Sequence, residues 1–116
     1  MNVLCSGNYS KSKFVPIVES LLSFFDEFPK HALYLDSYIK LEKLKNLNKL
    51  DKIYNPKNPI DFIICIGGDG AILSAIRRMH DSQMPVLGIH IGKLGFLNKM
   101  NSNNYIRLLK SILNLN

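Results

Sequence analysis

The residues best placed to do chemistry are Gly67-Gly68-Asp69-Gly70, which follow directly on the apolar run Phe62-Ile63-Ile64-Cys65-Ile66. Beyond them the apolar spacing becomes helical, so the junction reads as strand, glycine turn, helix start. A helix start presents backbone N–H groups with no intrahelical partner and the positive end of the dipole, and glycines let a phosphate come close to both. A carboxylate in such a turn is not itself a phosphate contact, because two negative charges repel. Asp69 therefore has two chemical readings: it holds a divalent cation that neutralises phosphates, or it accepts the proton of an attacking hydroxyl. A purely structural reading, in which Asp69 caps the helix, stands beside them.

A second glycine turn, Gly92-Lys93-Leu94-Gly95-Phe96-Leu97, follows the buried-strand candidate Pro85-Val86-Leu87-Gly88-Ile89. Placed at the same end of a parallel sheet, the two turns face each other across a crevice, where open α/β folds bind ligands. Phe96 is a candidate for stacking on a nucleobase, and its plain alternative is a core plug at the sheet edge. His90, beside this turn, is the histidine expected to line the crevice, while His31 and His80 read as surface residues. Neither a GxGxxG fingerprint, a Walker P-loop nor zinc-type Cys/His spacing is present, and no metal ligand set is assigned.

The elements that must carry these turns follow the chain in order. Val3-Leu4-Cys5 reads as a first strand, ended by the turn residues Ser6-Gly7-Asn8. A helix follows, with Ser12 as its cap, Pro16 in its first turn, Phe14, Ile17, Val18, Leu21, Phe25 and Phe28 on one face, and Pro29 as its stop. Ala32 to Leu35 reads as a second strand. Residues 36–50 read as a fraying helix, and 54–59 as a loop. The run 62–66 is the central parallel strand, buried on both faces. In the helix after Gly70, the spacing puts Ile72, Leu73, Ile76 and Met79 on the buried face, opposite Ser74, Arg77, Arg78 and Asp81. A terminal helix capped by Ser102 carries Tyr105, Leu108, Leu109 and Ile112. The pattern predicts a single α/β domain over 1–116, an open, mostly parallel sheet with flanking helices in a Rossmann-like three-layer arrangement.

At 116 residues the chain supports one core. The net charge of +6 is spread over scattered lysines, with the cluster between Lys40 and Lys52 broken by Glu42 and Asp51, so no nucleic-acid footprint is read from it. It favours an anionic small substrate instead. Cys5 and Cys65 each sit in an apolar strand, which fits buried thiols in a reduced, cytoplasmic setting. No apolar run is long enough to span a bilayer, so no membrane partner is expected.

With both turns in view, the stretch from Asp61 to Met100 resembles the NAD kinase family, which pairs a strand ending in Gly-Gly-Asp-Gly with a Pro-Val-Leu-Gly-Ile segment and a Gly-x-Leu-Gly-Phe-Leu turn. The resemblance implies ATP-dependent phosphorylation of the 2′-hydroxyl of the adenosine ribose of NAD, giving NADP, with a divalent metal such as Mg2+. It implies Asp69 as proton acceptor and organiser of substrate and metal, Gly67, Gly68 and Gly70 as backbone against the substrate, and Phe96 on the adenine side. It also implies that the chain is the N-terminal nucleotide-handling domain of a homo-oligomeric enzyme. The family's second, β-rich domain, with its Asn-Glu or Asn-Asp pair, has no match in these residues. Three positions depart from the family pattern: Ala71 where a Thr is common, Ser74 where some members carry a basic side chain, and His90 where an Asn is frequent. Two other readings share the first turn: a diacylglycerol-type lipid kinase or phosphofructokinase-like kinase, and a non-catalytic nucleotide-binding remnant.

Overall fold

The computed structural model describes residues 1–8, 10–36, 59–78, 84–91 and 105–114. Four strands make one sheet: β1 (Asn2–Gly7), β2 (Ala32–Leu35), β3 (Phe62–Gly67) and β4 (Val86–His90). Their order across the sheet is β2-β1-β3-β4, and every pairing is parallel. Three helices connect or follow them: α1 (Phe14–Asp26), α2 (Asp69–Arg78) and α3 (Tyr105–Ile112).

The strand order reverses between β1 and β3. From β1 the chain runs through α1 to β2 on one side, and from β3 it runs through α2 to β4 on the other. Right-handed crossovers in opposite directions put the helices on opposite faces of the sheet. Packing agrees. One apolar cluster joins Val3, Cys5, Leu33, Leu35, Phe62, Ile64, Ile66 and Ile89 to α1 and to Tyr105 and Leu109 of α3. A second, smaller one joins Cys65 to Ile72 and Ala75 of α2. Because side chains alternate along a strand, β3 supplies Ile64 and Ile66 to one layer and Cys65 to the other. All six of its residues are buried, as a central parallel strand requires.

Several boundaries differ from those the sequence suggests. β1 extends through Ser6 and Gly7, because Gly7 adopts φ +143° and packs so closely on β3 that a Cβ there would lie 1.9 Å from the Ile66 carbonyl oxygen. Only glycine fits this position. The residue capping α1 is Lys13 rather than Ser12, with no side-chain cap bond. The chain enters α1 through turns, in which Lys11 N–H donates to the Asn8 carbonyl and Phe14 N–H to the Lys11 carbonyl, so no serine cap is formed. The buried face of α2 is also rotated from the expected one: Ile72 and Ala75 are buried, whereas Leu73 and Ile76 are 41% and 38% exposed. Small Ala71 and Ala75 let the helix lie against Cys65 and Val86, a contact that weighting by large apolar residues does not find. The expectations for residues 37–50 and 54–58, for Met79, His80 and Asp81, for the turn 92–97 with Phe96, and for Ser102 lie outside the described residues.

At the amino-terminal ends of the strands, β1 and β3 are tied by polar bonds. Asn2 N–H donates to Asp61 Oδ2 at 2.6 Å, Asp61 N–H donates to the Asn2 carbonyl at 2.7 Å, and Asn2 Nδ2 donates to the Pro59 carbonyl. The Asp61 carboxylate is thus engaged at the end of the sheet remote from Asp69.

Candidate functional site

The site is built where β3 gives way to α2. Ile72 N–H donates to the Gly68 carbonyl at 3.2 Å, which makes Gly68 the cap and Asp69 the first residue of the helix. The structural reading of Asp69 as cap residue therefore fails on position, and Oδ1 of Asp69 makes no hydrogen bond at all. An acidic residue in the first turn is favoured by the helix dipole, but that does not explain a carboxylate oxygen left buried without a donor.

The four residues of the turn divide by what surrounds them. A Cβ on Gly67 would lie 2.6 Å from the Ala71 Cβ and 3.6 Å from the Asn8 N and Cβ, so Gly67 answers a packing need. Gly68 and Gly70 have nothing within 4 Å of a Cβ. Their glycines leave open space over the first amides of α2, which is the opening a phosphate-bearing ligand requires.

Opposite Asp69 stands His90, the last residue of β4. Register pairs His90 with Gly67, and Ile91 N–H donates to the Gly67 carbonyl at 3.2 Å, so β3 and β4 leave the sheet together at their carboxyl ends. The His90 side chain is 3% exposed and that of Asp69 33%, and His90 Nε2 lies 4.0 Å from Asp69 Oδ1. That distance is too long for a hydrogen bond. Both atoms are buried and, among the described residues, without a hydrogen-bond partner. His90 stands beside Asp69 at the carboxyl ends of the strands, but its imidazole is buried, and the second glycine turn expected across the crevice lies outside the described residues.

Asn8, just after β1, lies next to the turn as well, a contribution the sequence did not reveal beyond its turn chemistry. Asn8 N–H donates to the Ile66 carbonyl at 2.8 Å, and Asn8 Oδ1 accepts from Ser10 N–H at 3.1 Å, an Asx-type turn. The Ser6-Gly7-Asn8 sequence after the apolar run of β1 was the available signal. Ser6 Oγ donates to Asp36 Oδ2 at 2.8 Å, joining the ends of β1 and β2. A hollow of about 260 Å3 lined by Asp61, Phe62, Pro85 and Val86 lies at the opposite end of the sheet, and its one carboxylate is already engaged by Asn2. Among the described residues no group of three His, Cys, Asp or Glu side chains is placed to hold a metal ion. A cation here would have Asp69 as its protein carboxylate.

A doubly wound parallel α/β domain, with a glycine-flanked carboxylate at the carboxyl ends of its strands beside the topological switch point, defines the class. Residues 30–116 match the family model described as the ATP-NAD kinase N-terminal domain, and the chain belongs to that family. Over its whole length it is 31% identical to the NAD kinase of Flavobacterium johnsoniae, spanning 41% of that protein. Over 74% of its length it is 36% identical to the NAD kinase of Clostridium kluyveri, spanning 29% of that protein. Among solved structures, yeast NADH kinase complexed with NADH superposes with a TM-score of 0.80 at 19% identity, over 98% of this chain and 36% of that one, which establishes the shared fold.

Proposed function

We propose that the chain is the nucleotide-handling N-terminal domain of an NAD kinase, which transfers the γ-phosphoryl group of ATP to the 2′-hydroxyl of the adenosine ribose of NAD, giving NADP and ADP. The observation that carries this reading is a carboxylate at the first residue of α2 that caps nothing, flanked by two glycines with open space where a side chain would be. In the transfer, the ribose oxygen forms a bond to the γ-phosphorus while the bond from that phosphorus to the β,γ-bridging oxygen breaks. The hydroxyl proton passes to Asp69. The amides at the start of α2 take the phosphate charge, and Gly68 and Gly70 keep the approach clear. Asp69 fits a divalent cation such as Mg2+, which accepts one or two protein carboxylates and takes its other ligands from phosphates and water; when bound it would supply neutralisation of phosphate charge. Phe96 is assigned to the adenine side on the family pattern alone, and homo-oligomerisation and a cytoplasmic setting rest on that pattern and on buried reduced thiols.

One aspartate does not position two substrates, so turnover by these 116 residues alone is expected to be slow and binding is the first readout. In amide-detected NMR with Mg2+ present, NAD and ATP are expected to shift Gly67, Gly68, Asp69 and Gly70. NADP formation, where measurable, is expected to fall at least about 100-fold in Asp69→Asn, the low end for loss of a general base. Equal turnover in both proteins would remove Asp69 from its role. Shifts produced by a sugar phosphate or a diacylglycerol but not by NAD would favour the other kinases that share the glycine turn.

A further inference from the structure

We propose that His90 is a positioning residue for Asp69, donating from Nε2 to Oδ1 so that the other carboxylate oxygen is aimed at the ligand crevice. This rests on the kinase reading for its purpose, but not for its geometry. Oδ1 is covered while the Asp69 side chain as a whole keeps a third of its exposure, so the accessible part of the carboxylate is the edge that carries Oδ2. His90 Nε2 lies 4.0 Å from the covered oxygen, and among the described residues it has no hydrogen-bond partner either. Two buried polar atoms left unsatisfied side by side are costly, and the cost disappears when they pair. A closure of about 1.2 Å brings them to an ordinary charge-assisted bond, a change within reach of the Asp69 side-chain torsions and one that needs no ligand.

The backbone supports the assignment. His90 is held in a ladder whose register with Gly67 is closed on its far side by the bond from Ile91, so the imidazole comes from a rigid element, while Asp69 begins a helix and can adjust. The arrangement is the one in which a base is oriented by a third group behind it. It also explains how a histidine can replace the asparagine frequent at this position in the family, since both offer a side-chain N–H donor.

The test is imidazole NMR on the 116-residue protein without any substrate. Long-range 1H–15N correlation is expected to show the His90 proton on Nε2, and this resonance is expected to move in Asp69→Asn while staying in place in Asp61→Asn. From the other side, the Asp69 13Cγ resonance is expected to move in His90→Leu and return most of the way in His90→Asn, which restores a donor. A proton on Nδ1 with Nε2 bare, or a His90 signal indifferent to Asp69→Asn, overturns the proposal; the latter variant changes a partly exposed helix-start residue, so it reads the pair even if His90→Leu does not fold. Because no nucleotide is present, coupling between the two residues together with failure to bind NAD would refute the kinase reading and leave the pair intact.

Discussion

At the scale of single residues, Gly7 and Gly70 have different reasons to be glycine, and substitution separates them. Gly7 holds a positive φ with the Ile66 carbonyl where its Cβ would be. Gly7→Ala is expected to cost about 3 kcal/mol or more, from backbone strain and overpacking together, read from urea unfolding. Gly70 lies inside α2 with open space around it. Gly70→Ala is expected to hold or raise stability by about 0.5 to 1 kcal/mol while weakening nucleotide binding at least several-fold in a titration. A variant that is stable and also binds unchanged would show that the opening over α2 is not used. The place of Asp69 at a strand-to-helix junction was legible from its neighbours, because an apolar run, two glycines and then helical spacing leave few other arrangements. The nearness of Asp69 to His90 was not legible, because the two lie far apart along the chain and the β3–β4 register brings them together.

At the scale of elements, β3 and α2 bear opposite burdens. β3 is buried throughout, and Ile64→Ala, which empties a fully enclosed position, is expected to cost about 2 to 5 kcal/mol. Leu73→Ser, on the outward side of α2, is expected to change stability by less than about 0.5 kcal/mol. Chemical denaturation of the two proteins decides between this packing and the face that spacing alone suggests, on which Leu73 would be a core residue. The strands were legible because a continuous β-branched run has few alternatives. The face of α2 was not, because beside Ile72 its contacts with the sheet are made by Ala71 and Ala75, side chains too small to stand out in a hydropathy pattern. Likewise the entry to α1 was set by turns of backbone around Asn8 and Lys11, which a capping rule does not anticipate.

At the scale of the whole molecule, the sheet separates two apolar layers, with Cys5 packed in one and Cys65 in the other. Both thiols are buried. Burial above all, then the neighbouring Cys65 and Asp36, pushes the Cys5 thiol far above its ordinary value of 9.0. The folded state therefore keeps a proton that the unfolded chain gives up in alkali. Stability is expected to be insensitive to this group below about pH 8 and to fall above pH 9, at up to about 1.4 kcal/mol per pH unit. Cys5→Ala should flatten that decline in urea titrations at pH 7, 9 and 10. Maleimide labelling of native protein should be slow at both cysteines, since neither is reached without opening a layer.

The close seat of Gly7 on β3 has a consequence for how a ligand is received. With no side chain to hold them apart, the tips of two neighbouring strands are fastened, and the Asn8 turn hangs from the same carbonyl that ends the Ile run. On the nucleotide-binding reading proposed above, the floor of the site is set by the fold itself, and the entropy of arranging it is spent during folding rather than taken from binding affinity.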